Sequence, residues 1–533
     1  MQWTATHAYA RPRRYSGTMT LRFNEDGTFR VLQMADIQDK PEVNRDTIRL
    51  IEAAIRETKP DLVVLTGDQI RGYDPAYIDT FLRRRGEKPG ARVRLITEVE
   101  ARIYGVKRRY PEAAELAERM ADRLEDRGHT APAVLTDAEP PSIDELMAES
   151  ADKVRRTIQA FLQPVVDAGV PFAVTYGNHD FQCGILPDEQ DDMYRELPGC
   201  MNPVASSAQP TADAADVADV ADSRDQDGMA SPTTDRPSMP STAESLGFEP
   251  GTFALPIESA DGSGHIAMAV MMVNSGDYAG KPEENDAEYP AYIANSRGLD
   301  LADSDGYGTP SPEAIAWLGG VQHELGARNG DGQPVPAIAF QHIPPQEFYD
   351  CLTEVPAWTP NAVEGARTHA GHCYVLNDAV CRPGSRLGEA IGCADENVGQ
   401  VEAMRQAGGY FALFCGHDHK NAFVGHVHGM DLGYAPTCGF ECYGPKSRLR
   451  GVRLFEFHES DPAAYETRML TWGDLIGRYS RNELRVFFED HCITDAIGLR
   501  NELRRPSVFT TLVGLGAAAL AGIAAMLRRL VHR

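Results

Sequence analysis

The segment FRVLQMADIQD at residues 29–39 is a continuous apolar run that stops at a group of polar residues. The segment DLVVLTGDQ at residues 61–69 has the same form. Continuous apolar runs, unlike alternating ones, are typical of strands buried on both faces of a layered α/β structure. Further runs of this kind lie at residues 172–176, 267–273, 337–340 and 410–415. The sequence therefore predicts an α/β fold built on buried strands.

A helix is predicted between the first two strands, at residues 44–59. Ile48, Ile51 and Ile55 fall on one face at helical spacing. Asn44 is a residue type that caps helix starts, and Pro60 follows the predicted end. The two runs and this helix form a strand–helix–strand unit.

The overall composition excludes some classes of protein. The chain has 533 residues and a formal net charge of −26, so its average surface repels polyanions and argues against broad nucleic-acid binding. Its ten cysteines include no CxxC pair, which argues against a zinc ribbon and a small disulfide framework. No apolar stretch follows the basic N-terminal residues, so we expect no secretory signal and a cytoplasmic catalytic part.

Two segments interrupt the pattern of strands. Residues from about 74 to 167 are charged with helical periodicity, and we expect a helical insertion there. Residues from about 204 to 245 have few large apolar side chains, and we expect a disordered loop because such a segment buries too little surface to fold.

The C-terminal end predicts a membrane span at residues 508–527, which carry no charge and are long enough for a ~30 Å hydrocarbon core. Arginines flank this stretch on both sides. The alternative is a buried C-terminal helix of a soluble protein. Gly514, Ala518 and Gly522 form a row of small residues that could pack two spans into a homodimer, and the sequence leaves this open.

Residue types that bind metals occur where the apolar runs end. Ligands delivered from the carboxyl ends of several strands are where open α/β sheets place their sites. The residues are Asp36 and Gln38, then Asp68, then Asn178, His179 and Asp180, then His342, and finally His417 and His419.

The ordered motifs GD, GNHD, H and GHDH resemble those of the calcineurin-like metallophosphoesterases. The resemblance spans roughly residues 29–444 and implies a four-layer αββα sandwich. The segments NSGDY at 274–278 and FQHIPPQEF at 340–348, with GHDHKN, are most similar to the branch of purple acid phosphatases and Dcr2-type phosphatases. We expect an N-terminal extension at 1–28, a catalytic domain at 29–457 and a linker region at 458–506.

The resemblance implies a dinuclear metal centre. Asp68 would bridge two divalent ions, and Arg71 stands where purple phosphatases carry a tyrosine ligand, which argues against a tyrosinate-bound ferric ion. The mixed oxygen and nitrogen set suits Mn, Fe or Zn. One ion would be held by Asp36, Gln38 and His419, and the other by Asn178, His342 and His417.

Gln38 departs from the family pattern, because most relatives have a histidine ligand there. An amide oxygen is a weaker donor, so the first ion would be labile or hard, or absent. The resemblance implies hydrolysis of a phosphate ester by a metal-activated hydroxide, with phosphomonoesters favoured over phosphodiesters. The alternatives are a membrane-tethered non-catalytic scaffold and a nuclease.

His179 would act as a catalytic residue that stabilises the transition state or protonates the leaving oxygen, and Asp180 would orient its ring. A structural role for His179 is the alternative. Asp418 is expected to point away from the metals, Asn421 to form hydrogen bonds nearby, and residues 452–457 to form an edge strand. His369, His372, His426 and His428 are interpreted as surface or local structural histidines.

Overall fold

The computed structural model describes residues 20–85, 91–105, 142–204, 246–279, 304–493 and 496–531. The strands are β1 (Leu21–Arg22), β2 (Thr28–Met34), β3 (Leu62–Thr66), β4 (Phe172–Thr175), β5 (Gly247–Glu249), β6 (Thr252–Glu258), β7 (Ile266–Met272), β8 (Tyr278–Ala279), β9 (Gly306–Tyr307), β10 (Ala337–Gln341), β11 (Leu352–Val355), β12 (Val363–Glu364), β13 (Cys373–Leu376), β14 (Tyr410–Cys415), β15 (Val424–Val427), β16 (Met430–Tyr434), β17 (Gly451–His458) and β18 (Glu466–Thr471). The helices are α1 (Arg45–Thr58), α2 (Ile78–Arg85), α3 (Ala91–Tyr104), α4 (Ile143–Asp167), α5 (Pro187–Arg195), α6 (Pro312–Asn329), α7 (Gln400–Ala407), α8 (Trp472–Leu475), α9 (Glu483–Asp490), α10 (Ala496–Arg504) and α11 (Pro506–Val531).

Two large sheets form the centre of the structure. The first has the order β1-β6-β7-β10-β14-β16-β15, with β5 beside β6, and the second has the order β18-β17-β2-β3-β4. Strands β2, β3 and β4 are parallel to one another, as are β7, β10, β14 and β16. The carboxyl ends of these parallel strands therefore share an edge within each sheet.

The two sheets pack face to face through apolar side chains. Phe29, Val31 and Val64 of the second sheet belong to one buried cluster with Phe340 and Phe414 of the first. Truncation of a buried phenylalanine to alanine costs about 3–5 kcal/mol, so this layer contributes strongly to stability.

Helices cover the outer face of each sheet. Helices α1 and α4 bury Leu50, Ile51 and Phe161 against the second sheet, and α6 and α7 bury Leu318 and Met404 against the first. The predicted four-layer αββα architecture is confirmed. Each of the six predicted runs is a strand, and α1 begins after Asn44, whose side chain accepts a hydrogen bond from the backbone N–H of Asp46 at 2.9 Å.

The prediction of an edge strand at residues 452–457 is wrong. Strand β17 lies between β2 and β18 and pairs antiparallel with both. Its residues from Gly451 to Phe455 are all buried, so this part of the strand shows no alternation of exposed and buried side chains. The reason is that β18 covers the edge that β17 would otherwise present.

The predicted insertion contains α2, α3 and α4, while residues 86–90 and 106–141 lie outside the described part. The segment expected to form a disordered loop also lies outside it, apart from Val204, and its disorder stays a prediction. In the described part of the chain, one helix is long and apolar enough to cross a membrane, at Pro506–Arg528. None of its most apolar 18-residue stretch is buried in the protein.

Candidate metal centre

The polar residues predicted from the motifs meet at the carboxyl edges of the two sheets. Asp36 follows β2, Asp68 follows β3, and His342 and His417 follow β10 and β14. Two groups of side chains place their ligand atoms within 4.8 Å of one another, and Asp68 belongs to both. The groups are Asp36, Asp68 and His419, and Asp68, His342 and His417, all buried.

The backbone is strained at four of these positions. Asp36, Gln38, Asp68 and His417 have φ values of 51°, 39°, 54° and 75°. Residues other than glycine rarely adopt this left-handed region, and such residues cluster at functional sites. The turns after β2, β3 and β14 thus hold their side chains in place at a cost that the surrounding fold offsets.

Asp36 and His419 form one side of the centre. The carboxylate of Asp36 accepts a hydrogen bond from the backbone N–H of His417 at 3.0 Å, and Nε2 of His419 lies 3.3 Å from it. Nδ1 of His419 lies 2.6 Å from the carbonyl oxygen of Tyr443, whose ring stacks on the imidazole at 4.1 Å. A backbone acceptor at Nδ1 places the proton there and directs Nε2 to the site, as is usual for metal-binding histidines.

Gln38 reaches the same place. Its Nε2 donates a hydrogen bond to Oδ2 of Asp68 at 2.7 Å, and its backbone N–H donates to the Asp68 carbonyl oxygen at 2.8 Å. Rotation of the amide by half a turn would exchange nitrogen for oxygen. The side chain is therefore close enough to the shared carboxylate to take part in the centre.

His342 and His417 form the other side. Nδ1 of His342 lies 2.8 Å from the Thr66 carbonyl oxygen, which leaves Nε2 facing Asp68 at 3.2 Å and Nδ1 of His417 at 3.1 Å. The Asn178 oxygen also lies 3.2 Å from this Nε2, because its amide nitrogen donates to the Tyr278 hydroxyl at 2.8 Å. An amide oxygen, a carboxylate and two imidazoles face one another, which is a donor set that fits a first-row divalent cation.

The charges within the centre support this fit. Burial disfavours a charge on His342, but the Asp68 carboxylate outweighs burial and raises the pKa of His342 to about 9. Burial and repulsion by His342 lower the pKa of His417 well below its usual range. In the metal-free protein the proton thus lies on His342 and faces the ionised Asp68 carboxylate, in the space that a cation would take.

Asp180 has a different place from the one predicted. Its carboxylate accepts hydrogen bonds from the backbone N–H groups of Asp68, Gln69, Ile70 and Gly177, all at 2.8–3.0 Å. These bonds order the turn that carries Asp68.

Gln182 has the position beside the His179 ring that was predicted for Asp180. Nδ1 of His179 lies 2.6 Å from the Gln182 side-chain oxygen. The interpretation of Asp180 as the group that orients His179 is corrected accordingly, because the Asp180 oxygens are already engaged by backbone donors. Gln182 takes that role.

Two glycines allow these close approaches. A Cβ atom on Gly177 would lie 2.3 Å from an Asp68 oxygen, and one on Gly72 would lie 2.0 Å from the Gln182 oxygen and 2.6 Å from Nδ1 of His179. No side chain fits at either position unless the site moves.

The other histidines and polar residues lie outside the two groups. The Asp418 carboxylate accepts from the Tyr434 hydroxyl at 2.6 Å and from Gly392 N–H, and the Asn421 oxygen accepts from Gly388 N–H at 2.8 Å. The remaining pairs are His426 with Asp431, His428 with Asp350, His372 with Glu354, His369 stacked on Tyr349, and Arg71 with Asp74 and Glu100.

Sequence reasoning missed Gln182 and Tyr307. Tyr307 is half-buried, and its ring meets His417 edge-on at 4.4 Å and stacks with Tyr278 at 6.1 Å. Gln182 lies three residues after His179, in the short helical turn Asp180–Cys183, and this spacing is the signal that could have indicated it. Tyr307 lies far from every motif in the sequence, so only the fold brings it to the site.

No protein-family model and no curated protein matches this chain. Among solved structures, it is similar to the crystal structure of a dimetal phosphatase from Danio rerio, with 12% identity and a TM-score of 0.36. A second solved structure has 10% identity and a TM-score of 0.31. Each alignment covers 83% of this chain and 99% of the other. Similarity at this level does not assign a function. The function is inferred from the geometry of the site.

Proposed function

We propose that this protein is a metal-dependent phosphoesterase with a dinuclear centre. The observation that carries the proposal is that Asp68 belongs to two buried groups of carboxylate and imidazole ligands at once. One ion would be held by Asp36, Gln38, Asp68 and His419, and the other by Asp68, Asn178, His342 and His417. Mn, Fe and Zn all suit this donor set.

Two such ions supply Lewis-acid activation of a phosphoryl group and a hydroxide nucleophile at neutral pH. The side chains of the protein position the ligands and the group that would transfer a proton. Asp180 holds the turn of Asp68 through three backbone hydrogen bonds and accepts a fourth from Gly177. The Gln182 oxygen accepts a hydrogen bond from Nδ1 of His179 and leaves Nε2 to face the reacting group, where the imidazolium form of the ring would give the Nε2 proton to the leaving oxygen.

The resemblance of the motifs favours phosphomonoesters over phosphodiesters, within the purple acid phosphatase and Dcr2-type branch. We also propose that α11 anchors the chain in a membrane with the catalytic domain, residues 29–457, on the cytoplasmic side. Its length, its composition and the exposure of its apolar side chains support the anchor. The row of small residues in α11 leaves a homodimer through the span as part of the proposal.

One observation favours a second function, that of a membrane-tethered scaffold without catalysis. The nitrogen of Gln38 points at the carboxylate that would bridge the metals, at 2.7 Å. If the amide keeps that orientation, the first ion lacks one ligand and would be held only by Asp36, Asp68 and His419, which weakens its binding.

The experiment compares hydrolysis of p-nitrophenyl phosphate and of bis-p-nitrophenyl phosphate by the full chain in detergent micelles. The protein is stripped of metal and resupplied with Mn²⁺, Zn²⁺ or Fe²⁺, beside a His179→Ala control. Metal-dependent turnover that falls in the control supports the phosphoesterase, and the faster substrate identifies the ester class. A folded protein that binds metal and turns over neither ester would favour the scaffold.

A further inference from the structure

Helix α9 exposes its three largest apolar side chains and turns its charged side chains inward, with Val486 as the one apolar residue of the helix that is buried. Its exposed residues are Leu484, Phe487 and Phe488, with 69%, 56% and 66% of their surfaces accessible. Glu483, Arg485 and Glu489 are only half-exposed and Asp490 is buried. A surface helix of a soluble protein has the opposite arrangement.

Ion pairs hold α9 in this orientation. Arg485 pairs with Glu441 and Glu489, and the buried Arg450 pairs with Glu489 at 3.0 Å. Asp490 pairs with Arg505 at 2.8 Å. Rotation of the apolar face inward would break these pairs and leave the buried guanidinium of Arg450 without its carboxylate partner, which is strongly unfavourable.

Helix α10 repeats the arrangement. Its exposed apolar residues are Leu499 and Leu503, one turn apart, while Arg500 and Arg504 on another face pair with Glu364 of β12. We use the name apolar platform for the exposed side chains of α9, α10 and their connection, which are Leu484, Phe487, Phe488, Ile493, Leu499 and Leu503.

The exposed charged residues of the segment that carries the apolar platform are positive in its described part. From residue 478 to residue 503, the exposed charged residues in the described part are Arg478, Arg481 and Arg500. The acidic residues described there are half-buried or buried. In a chain of net charge −26, a surface of apolar and basic side chains fits an anionic lipid surface.

The apolar platform is continuous with the proposed membrane helix. Helix α10 ends at Arg504 and α11 begins at Pro506, so one residue separates them. Trp358, which is 83% exposed, lies beside this junction, since Arg504 donates a hydrogen bond to the Ala357 carbonyl oxygen at 2.8 Å. Tryptophan is enriched where proteins meet the membrane–water interface.

We propose that the apolar platform lies on the bilayer into which α11 inserts. This rests on the membrane anchor and not on the hydrolase activity. The amine of Lys420, the residue after the ligand His419, donates to the Asp490 carbonyl oxygen at 2.9 Å at the end of α9. The apolar platform therefore holds the metal centre close to the lipid surface, where the accessible esters are those that membrane lipids or membrane-bound molecules carry.

The test uses the full chain in nanodiscs of phosphatidylcholine and phosphatidylserine. Trp358 fluorescence is measured with lipids brominated near the head group, and Trp358→Phe gives the signal of the other tryptophans. A nitroxide on the exposed Cys492 reports contact with lipid or water, with Cys492→Ser as its blank. We expect Trp358 to be quenched and the nitroxide to be shielded from a water-soluble relaxation agent.

The matched variants are Leu484→Ser with Phe487→Ser and Phe488→Ser, and Val398→Ser, which changes an exposed apolar residue away from the apolar platform. The triple variant should lose the shielding at Cys492 and keep its circular dichroism spectrum, while Val398→Ser changes neither. The proposal is supported if the nitroxide at Cys492 becomes accessible to the water-soluble relaxation agent in the triple variant and stays shielded in Val398→Ser.

Three results would overturn it. Failure of the chain to float with liposomes would remove the anchor, and p-nitrophenyl phosphate hydrolysis in the same sample keeps that failure separate from the proposed activity. A floating chain whose Trp358 and Cys492 stay in water would exclude lipid contact. Shielding that occurs only in nanodiscs with two copies would assign the apolar platform to a second chain.

Discussion

The metal centre and the apolar platform are opposite exceptions to the rule that polar groups face water and apolar groups avoid it. At the metal centre, Asp36, Asp68 and His342 are buried with at most 1% of their surface accessible. At the apolar platform, Leu484 and Phe488 are more than half exposed. Neither arrangement is stable by itself, because buried charge needs a partner and exposed apolar surface favours one. On the proposals above, the first region takes a cation as its partner and the second takes an apolar surface.

The largest effect is expected from Asp68→Asn, because this carboxylate belongs to both ligand groups. Loss of several kcal/mol of charge stabilisation should lower kcat/KM for p-nitrophenyl phosphate by on the order of 10³-fold. Asp350→Asn, which changes an exposed carboxylate paired with His428, is the control and should leave the rate unchanged. Equal rates in the two variants would refute the shared role of Asp68.

The two HxH pairs of the chain give a sharper comparison. His417→Ala should remove one metal ion per chain and lower kcat/KM by at least about 10²-fold, because the ring belongs to a buried ligand group. His426→Ala removes an exposed ring that contacts Asp431 and should change neither quantity. Metal content by mass spectrometry is the measurement, and the same loss in both variants would contradict the assignment.

Metal binding should depend on pH through His342. Its pKa of about 9 lies above the ordinary value of 6.5, so at neutral pH the ring carries a proton that a metal must displace. Affinity should rise about tenfold per pH unit up to about pH 9 and then level off. Calorimetric titration in buffers of different ionisation enthalpy would measure the released proton, and a pH-independent affinity would exclude this linkage.

The same pKa shift affects the metal-free protein. Because the pKa is raised on folding, protonated His342 stabilises the fold fully below about pH 6.5, and this contribution is lost as the pH rises toward about 9. Denaturant unfolding of metal-stripped protein across this range should show the decrease. His342→Gln should remove that part of the pH dependence.

A smaller effect is expected from Gln38→His, since imidazole is a better donor than an amide to a borderline metal. The weaker metal site should tighten by about tenfold, with turnover kept within a few-fold. Gln38→Leu is the matched control that supplies no donor atom. If the histidine variant binds metal no better than the leucine variant, Gln38 lies outside the ligand shell.

The smallest effect on activity is expected from removal of residues 506–533. None of the most apolar 18-residue stretch of α11 is buried in the protein. Removal of the helix should therefore leave the core and the metal centre intact. The shortened chain should leave the membrane fraction and keep its kcat within about twofold. Loss of folding, measured by circular dichroism, would instead make α11 part of the core.

Local patterns in the sequence were sufficient to predict six of the strands and helix α1. The runs that became β2, β3 and β14 are mostly apolar at their buried positions, with Gln33 and Thr66 as buried polar exceptions. Asn44 marks the start of α1 by its side-chain oxygen. The alternating pattern at residues 452–457 gave the wrong prediction of an edge strand. The pairing of β17 with β18 depends on a strand that lies further along the chain. Disorder in residues 205–245 stays a prediction.

The ligand types at the ends of the strands were readable because parallel strands deliver their carboxyl ends to one edge. The sequence alone thus determined the α/β class, the strands that carry the site and the residues predicted to bind a metal. Only the tertiary structure decided that Asp180 binds backbone while Gln182 contacts His179, that Tyr307 reaches His417, and that α9 turns its phenylalanines outward. The physical reason is that hydrogen-bond partners and ion pairs between distant segments are set by packing, which no local pattern contains.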